Sequence, residues 1–396
     1  MTVRHSRTGS FDRLSLLVLL IFSFLLCVQT CKAEETRAPT EITGSPLAVS
    51  IQALLKEGVH PKLRWGKFPD FQAQLDQLYQ TSGYLPFWTQ NGKPTGQAQA
   101  VIVSLAAADS KGLNAADYDA KLFAYWLSEL NSTEAANPQD TASFDVGLSL
   151  SLMRYVSNLY VGRINPRHVN FGLNIEPKKP DLSVLVRQIA YSDKPETIIL
   201  GLEPKLRLYE NLKTALARYQ TLAKETPSIQ LALPAKFRSG DRHADVPALR
   251  HLLAALGDLA EVGRRTQNSQ VYDKALVEAV KRFQNRHGLS ADGVIGKTTL
   301  AQLNFPLTDR VKQIQLGLER LRWLPEQIHG RYIIVNIPSF QLYGFHNGSG
   351  SGRPEPARRS MPSGGPTLPL VQLVQSSVRS PSRSSRVVPR PISGSP

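Results

Sequence analysis

Two short stretches of this sequence hold side chains whose types and spacing could do chemistry. The first, DRHAD from Asp241 to Asp245, places His243 between carboxylates, a donor set that could hold a divalent metal. A cluster this short, without a distant further ligand, is more typical of an exposed loop in which Asp245 caps the helix that follows. We therefore expect no metal site at this position.

The second stretch, ADGVIGKTT from Ala291 to Thr299, resembles a phosphate-binding loop. That motif requires a glycine five residues before Gly296, and Ala291 stands there instead. The alternative is that Gly293 and Gly296 serve a tight turn while Lys297 faces solvent. This alternative is favoured, and we expect neither a bound nucleotide nor any other cofactor.

Thiol chemistry depends on the N-terminal segment, which contains both cysteines, Cys27 and Cys31. Arginines precede an uncharged apolar run, which indicates a secretory signal over residues 1–33, cleaved after Ala33. An uncleaved membrane anchor is the alternative, but the run is shorter than the roughly 20 residues that a spanning helix needs. The exported chain, in the periplasm or cell envelope, would then lack cysteine and any thiol nucleophile.

The net charge of +15 could indicate a nucleic-acid partner. However, residues 349–396 contain seven arginines and one glutamate, so this tail supplies six of the fifteen charges. The remaining charge is spread along the chain without a basic stripe that alternates with aromatic residues. We expect no nucleic-acid partner, no membrane association after signal cleavage, and a weak attraction to an anionic envelope.

The elements that must position these residues are mostly helices. Residues 46–235 show helical apolar spacing, interrupted by Pro and Gly, and predict a multi-helix domain. Residues 222–245 have a linker-like composition. A compact unit over 241–305 follows, in which three amphipathic segments (VPALRHLLAALGDL, YDKALVEAVKRFQNRHG and KTTLAQLN) predict three helices around one small core.

The last part of the chain changes character twice. Residues 308–347 read as an amphipathic linker helix, stopped by Pro325, and then a β-hairpin around a Pro-Ser turn. The tail 348–396 is rich in Ser, Pro and Arg without aromatic residues, which predicts disorder. The fold class is therefore mainly α, with two helical domains, a β-rich fragment and a disordered tail. A lone hairpin has open edges, so we expect it to be poorly packed.

The residues of the compact unit resemble the peptidoglycan-binding-like three-helix domain, through Phe283-Gln284, Gly288-Leu289, Asp292-Gly293, Gly296 and the helix opened by Thr298. The flanking segments LYQTSGYLPFWTQNGKP, ADSKGLNAADYD and LMRYVSNLYVGRINP look like the helical scaffold of the large periplasmic murein L,D-transpeptidases. LERLRWLP followed by RYIIVNIPSFQLYGF looks like the entry into their catalytic β-domain.

This resemblance implies a cysteine nucleophile and a histidine base that crosslink stem peptides through an acyl-enzyme. No cysteine follows Cys31 and no histidine follows His346, so we expect a truncated catalytic domain without catalytic residues. A frameshifted gene end is favoured over an evolved tail. The chain would bind peptidoglycan glycan or stem peptides without crosslinking them. The alternatives are an active transpeptidase, if the intact product restores that domain, and a non-catalytic scaffold for other wall enzymes.

Three polar residues of the compact unit, Arg250, Gln284 and Asp292, are the candidate ligand-binding residues, because they could line the shallow groove where this domain type meets glycan or peptide. The alternative for Asp292 is turn chemistry. Tyr84, Trp88 and Trp323 could stack on sugars, but aromatic residues at helix ends more often belong to the core. Carboxylate and guanidinium groups on the linker helix, at Glu319 and nearby arginines, suggest an exposed ion pair.

Overall fold

The computed structural model describes residues 44–134, 137–168, 178–226, 229–260, 267–325, 331–336, 341–346 and 371–375. The expected signal segment, 1–33, lies outside these ranges. The helices are α1 (Pro46–Glu57), α2 (Gln72–Thr81), α3 (Gly96–Ala106), α4 (Ala120–Ser132), α5 (Pro138–Tyr160), α6 (Leu182–Ala190), α7 (Pro195–Gly201), α8 (Arg207–Glu225), α9 (Val246–Ala255), α10 (Lys274–Arg286), α11 (Lys297–Leu303) and α12 (Leu307–Arg322). The strands are β1 (Thr89–Gln90), β2 (Lys93–Pro94), β3 (Arg331–Asn336), β4 (Gln341–His346) and β5 (Val371–Gln375). The prediction of a mainly helical chain is confirmed.

Helix α5 is the central helix of the first domain. Every residue from Thr141 to Met153 is buried, as expected for a helix that carries small or apolar side chains on all of its faces. Asn137 begins the helix by accepting a hydrogen bond from the backbone N–H of Gln139, and a proline occupies the first turn. The surrounding helices α1–α4, α6 and α7 contribute to one apolar core with α5.

The second domain packs α9, α10 and α11 around one small core. The apolar stripes that the sequence predicts are buried there: Val246, Leu249, Leu252, Leu253 and Leu256 on α9 and its end, Leu276, Val280 and Phe283 on α10, and Leu303 on α11. Leu231, Leu233 and Phe237, from the stretch with linker-like composition, are buried in the same core. This stretch therefore belongs to the second domain, because its few apolar side chains cover the open side of a core made by three short helices.

Helices α8 and α12 pack against each other and form a third, smaller core of Tyr209, Leu216, Leu318, Leu321 and Leu324. Their backbones approach closely, since a Cβ added at Gly317 would lie 3.2 Å from a methyl group of Leu212. The end of the first helical region is thus joined directly to the linker helix, although some 100 residues of sequence separate them.

The predicted ion pair on α12 exists but is buried, which corrects the expectation of an exposed pair. Arg322 is fully buried and Glu319 is 6% exposed. Glu319 Oε1 accepts hydrogen bonds from the backbone N–H groups of Arg163 and Ile164, at 2.6 and 2.9 Å. Arg322 donates to Glu319 Oε2, to the Tyr209 hydroxyl at 3.1 Å and to the carbonyl of Lys111. These contacts hold α12 against the first domain. We call this buried ion pair with its hydrogen bonds the Glu319–Arg322 joint.

Strands β3 and β4 pair antiparallel, from Arg331 opposite His346 to Asn336 opposite Gln341, as the hairpin prediction requires. Strand β5 lies within the tail expected to be disordered and pairs antiparallel with the other edge of β3. Val371–Gln375 is thus a strand inside the segment for which the sequence predicts disorder. The open edge of β3 offers unpaired backbone groups, and VQLVQ is a short β-prone sequence able to bond to them.

Candidate functional site

The loop between α10 and α11 is organised by a single buried side chain, Gln284. Its amide nitrogen lies 3.1 Å from Asp292 Oδ1, 2.9 Å from the carbonyl of Val294 and 3.2 Å from the Thr299 hydroxyl. Its amide oxygen accepts from the backbone N–H of Gly293 at 2.8 Å. Gly293 has a φ of +75°, and a Cβ there would meet Val277 at 2.7 Å, so the turn needs glycine. Gln284 thus fixes the loop from the inside.

Two of the three predicted ligand-binding residues meet in this loop. Gln284 is 1% exposed and contacts Asp292, whose Oδ1 also accepts from the backbone N–H of Val294 at 2.9 Å. Asp292 itself is exposed, so a ligand can reach it. Its observed contacts are those of a turn-forming aspartate.

Arg250 lies apart from this loop contact, on α9. It is 2% exposed and donates through Nη2 to Asp273 Oδ2 at 2.8 Å. Asp273 also begins α10, because its other carboxylate oxygen accepts from the backbone N–H of Leu276. The two helices are therefore linked by a charge-assisted hydrogen bond. Arg250 and Gln284 are both buried by their own domain, and neither presents its polar atoms to solvent.

The other chemically interesting residues lie in structural positions. Trp88 is fully buried and Trp323 is 6% exposed, which agrees with the expectation that they belong to the core. Tyr84 packs against the first core. The Asp245 carboxylate does not cap α9, because it accepts instead from the backbone N–H of Ala232 at 2.6 Å. The predicted cap is therefore wrong, and this aspartate holds the segment around Ala232 against the start of α9 within the second domain.

The possible metal cluster is a local contact. His243 Nδ1 accepts from the backbone N–H of Asp245 at 3.1 Å and lies 3.7 Å from its carboxylate. Within the ranges that the structure describes, no group of three or more His, Cys, Asp or Glu side chains is placed to hold a metal ion.

A solvent-open groove lies where α8, the second domain and the α11–α12 connection meet. Its volume is about 100 Å³. Leu252 and Leu256 form an apolar wall, and the polar lining includes Tyr219 from α8, His287 from the end of α10 and Arg310 from α12. Among the described residues, no aspartate or glutamate lines this groove. The groove is small, but its apolar walls and few polar groups are features that ligand sites share.

The charged groups around the groove have distinct partners. Arg286 forms an ion pair with Asp258 and donates to the Tyr219 hydroxyl at 2.8 Å. Arg310 lies over the ring of Phe305, 4.4 Å from its centre, and donates to the carbonyl and side-chain oxygens of Gln302, at 3.2 and 2.5 Å. The groove therefore carries positive charge at Arg310 without a carboxylate in its lining.

His287 lies between these arginines and is neutral. Its ring packs on Phe283 with 4.2 Å between the ring centres. Burial, with the positive charges of Arg310 and Arg286, lowers the pKa of His287 to about 3. A neutral imidazole can donate or accept a hydrogen bond to a ligand without adding charge.

Sequence reasoning did not find this groove. Its lining comes from α8, α10, the α11–α12 connection and α12, at Tyr219, Phe283, Phe305 and Arg310. No sequence motif connects these residues. The available signal was weak: an Arg-His pair where α10 ends, and an aromatic residue followed by an arginine where α12 begins. Only the packing of α8 and α12 brings these residues together.

Two segments of the chain, one in each helical domain, match known protein families. Residues 242–303 match the family described as "Putative peptidoglycan binding domain", and residues 73–216 match the family described as "Scaffold domain". No curated protein matches this chain. Among the described helices, none combines the length and apolarity needed to cross a membrane. The resemblance to a peptidoglycan-binding domain is therefore confirmed, and the chain is a cell-wall-related protein that carries such a domain.

Proposed function

We propose that this chain is an exported member of the L,D-transpeptidase family that binds peptidoglycan without crosslinking it. The observation that carries the proposal is the match of residues 242–303 to a peptidoglycan-binding domain. The helical scaffold before it and the hairpin after α12 support the family, because both resemble parts of large murein L,D-transpeptidases.

The chemistry of the sequence supports binding without transfer. Acyl transfer of the family type needs a thiolate nucleophile, and residues 34–396 contain no cysteine. The groove between α8, the second domain and α12 has a cation and apolar walls, which suit it to holding a ligand.

The direct test is co-sedimentation of the purified chain with isolated sacculi, followed by analysis of the crosslinks in the sacculi. We expect the chain to sediment with sacculi and the crosslink pattern to stay unchanged. A chain that remains in the supernatant at physiological salt would contradict the binding role. New peptide crosslinks would contradict the non-catalytic role.

The second candidate is an active transpeptidase, favoured by the antiparallel sheet that begins directly after α12. It requires a longer product that supplies the histidine and cysteine segments. Sequencing the gene across the codons for residues 340–396 and beyond distinguishes the two candidates. A purely structural scaffold for other wall enzymes would instead bind those proteins and not sacculi.

A further inference from the structure

We propose that the groove between α8, α10 and the α11–α12 connection binds a carboxylate of a peptidoglycan stem peptide, with Arg310 as the carboxylate-binding residue. This inference rests on the proposed function and deepens it, since it assigns the ligand class and the site. It also places the site away from Arg250 and Gln284, which their own domain buries.

The first argument is the charge of Arg310. Among the described residues, no carboxylate lies within ion-pairing distance of its guanidinium, whose recorded hydrogen bonds go to the neutral side chains of Gln302 and Gln313 and to one carbonyl. Arg286, by contrast, is already paired with Asp258. Arg310 is partly buried, and burial lowers its pKa, which is the signature of a cation that lacks a compensating negative charge.

The second argument is the chemistry of the lining. A guanidinium presents parallel N–H donors that match the two oxygens of a carboxylate. Leu252 and Leu256 offer apolar surface beside it, and neutral His287 can exchange a hydrogen bond with a peptide group. A short peptide with small apolar side chains and a free carboxylate satisfies all three features.

The third argument separates peptide from glycan. In intact peptidoglycan the lactyl carboxyl of a muramyl sugar that bears a stem is bound in the amide link to that stem, so the free carboxylates belong to the peptide. Two aromatic rings at the groove are also occupied, because Phe305 is covered by the Arg310 guanidinium and Phe283 by the ring of His287. These two faces are therefore not free for a sugar to stack on.

The fourth argument is the composite construction of the groove. Tyr219 belongs to α8, His287 to the second domain and Arg310 to the linker helix, so the site is complete only when these three parts are assembled. The α8–α12 contact and the buried Glu319–Arg322 joint maintain that assembly.

The test measures binding of the full chain to the free stem tetrapeptide L-Ala-D-Glu-meso-Dap-D-Ala by calorimetry. Probes for comparison are the same peptide with its carboxyl groups amidated, and N-acetylglucosamine oligosaccharides, which offer sugar rings without a carboxylate. We expect Arg310→Gln to weaken tetrapeptide binding about tenfold or more, as loss of a charged hydrogen-bonded contact does. Amidation of the peptide should cause a similar loss with the parent chain.

The matched control is Lys312→Gln, which removes the same charge from the same helix. Lys312 is exposed, is paired with Asp309 and does not line the groove, so we expect less than about twofold change. Arg310→Lys keeps the charge without the planar fork and should lie between parent and Arg310→Gln. A thermal melt of each variant checks folding.

Three outcomes would overturn the inference: unchanged tetrapeptide affinity in a folded Arg310→Gln variant, equal affinity for the amidated peptide, or equal affinity for the N-acetylglucosamine oligosaccharides. The amidated peptide keeps the test decisive even if Arg310→Gln fails to fold. Sacculus sedimentation of the parent separates the two proposals. Sedimentation with any of these outcomes refutes only the stem-peptide site, whereas no sedimentation refutes the proposed function.

Discussion

The carboxylate of Asp145 connects the loop before β1 to the middle of α5. It accepts hydrogen bonds from the backbone N–H groups of Phe87 and Trp88, at 3.0 and 2.7 Å, and from the Tyr79 hydroxyl at 2.8 Å. Its burial raises the pKa of Asp145 to about 6, against the opposing effect of these donors. The neighbouring Ser149 hydroxyl completes the network by accepting from the indole N–H of Trp88 at 2.8 Å.

This network predicts different effects for two serines of the same helix. Ser149→Ala leaves the buried indole N–H of Trp88 without an acceptor, so we expect a loss of about 1–3 kcal/mol in the free energy of unfolding. Ser151 is equally buried, but its hydroxyl has no hydrogen-bond partner among the described residues, so Ser151→Ala should be neutral or slightly stabilising. Urea denaturation measures both. Equal destabilisation by the two substitutions would contradict this account of Asp145 and Ser149.

The neutral state of His287 gives a prediction for pH. Its pKa in the folded chain, about 3, is below the ordinary value of 6.5, so the unfolded chain binds the proton more tightly. Acidification from about pH 6.5 towards 3 therefore favours unfolding of the second domain, and stability rises with pH across this window. An NMR titration should show the His287 ring resonances unchanged between pH 8 and 5. A midpoint near 6.5 would contradict the burial of this ring between Arg286 and Arg310.

At single positions, the sequence indicates which polar side chains matter but not what each of them does. Gln284 and Arg250 are candidates for ligand contact because they are polar residues on a small helical domain. The same residue types can hold a loop or join two helices, and only their burial decides between these roles. Arg310 was not selected, because the absence of a carboxylate beside it is a property of the packed structure.

At the scale of elements, the joint between α12 and the first domain depends on a close approach at Gly162. This residue has a φ of +98°, and a Cβ there would lie 2.7 Å from Glu319 Oε1 and 2.9 Å from the Trp323 ring. A side chain would therefore be strained in its backbone and would displace the buried carboxylate.

We expect Gly162→Ala to lower the free energy of unfolding by about 2–4 kcal/mol, since backbone strain and the disturbed buried ion pair add together. Proteolysis near residue 325 should become faster as α12 loosens. Gly201→Ala is the control, because nothing lies within 4 Å of a Cβ at that position, and it should leave stability unchanged or slightly higher. If both variants have the same free energy of unfolding as the parent, the contribution of the Gly162 contact to stability is refuted.

The elements themselves were largely predictable, because each helix needs only a local pattern. The apolar stripes of α9 and α10 were read correctly from their spacing, and so was the pairing of β3 with β4. The contact of α8 with α12 and the addition of β5 to β3 were not predicted. Both join segments that are far apart in sequence, and neither leaves a periodic signal that identifies its partner.

At the scale of the whole molecule, the described residues form three apolar cores. The first domain, the α8–α12 pair and the second domain have a core each, and the groove lies where the last two meet. A ligand in the groove therefore contacts the second domain and α12 together, and through α12 it is coupled to the segment that enters β3. A cell-wall polymer bound in the groove would therefore be held at a fixed position relative to the β-sheet that β3 begins.

The measurement that tests the central claim most directly is hydrogen–deuterium exchange of the full chain with and without soluble peptidoglycan fragments. Binding in the groove predicts slower exchange in residues 283–310 and at the end of α8, with no change in α1–α5. Unchanged exchange throughout 242–310 at saturating fragment, or protection confined to the first domain, would contradict the claim that this chain binds peptidoglycan through its second domain.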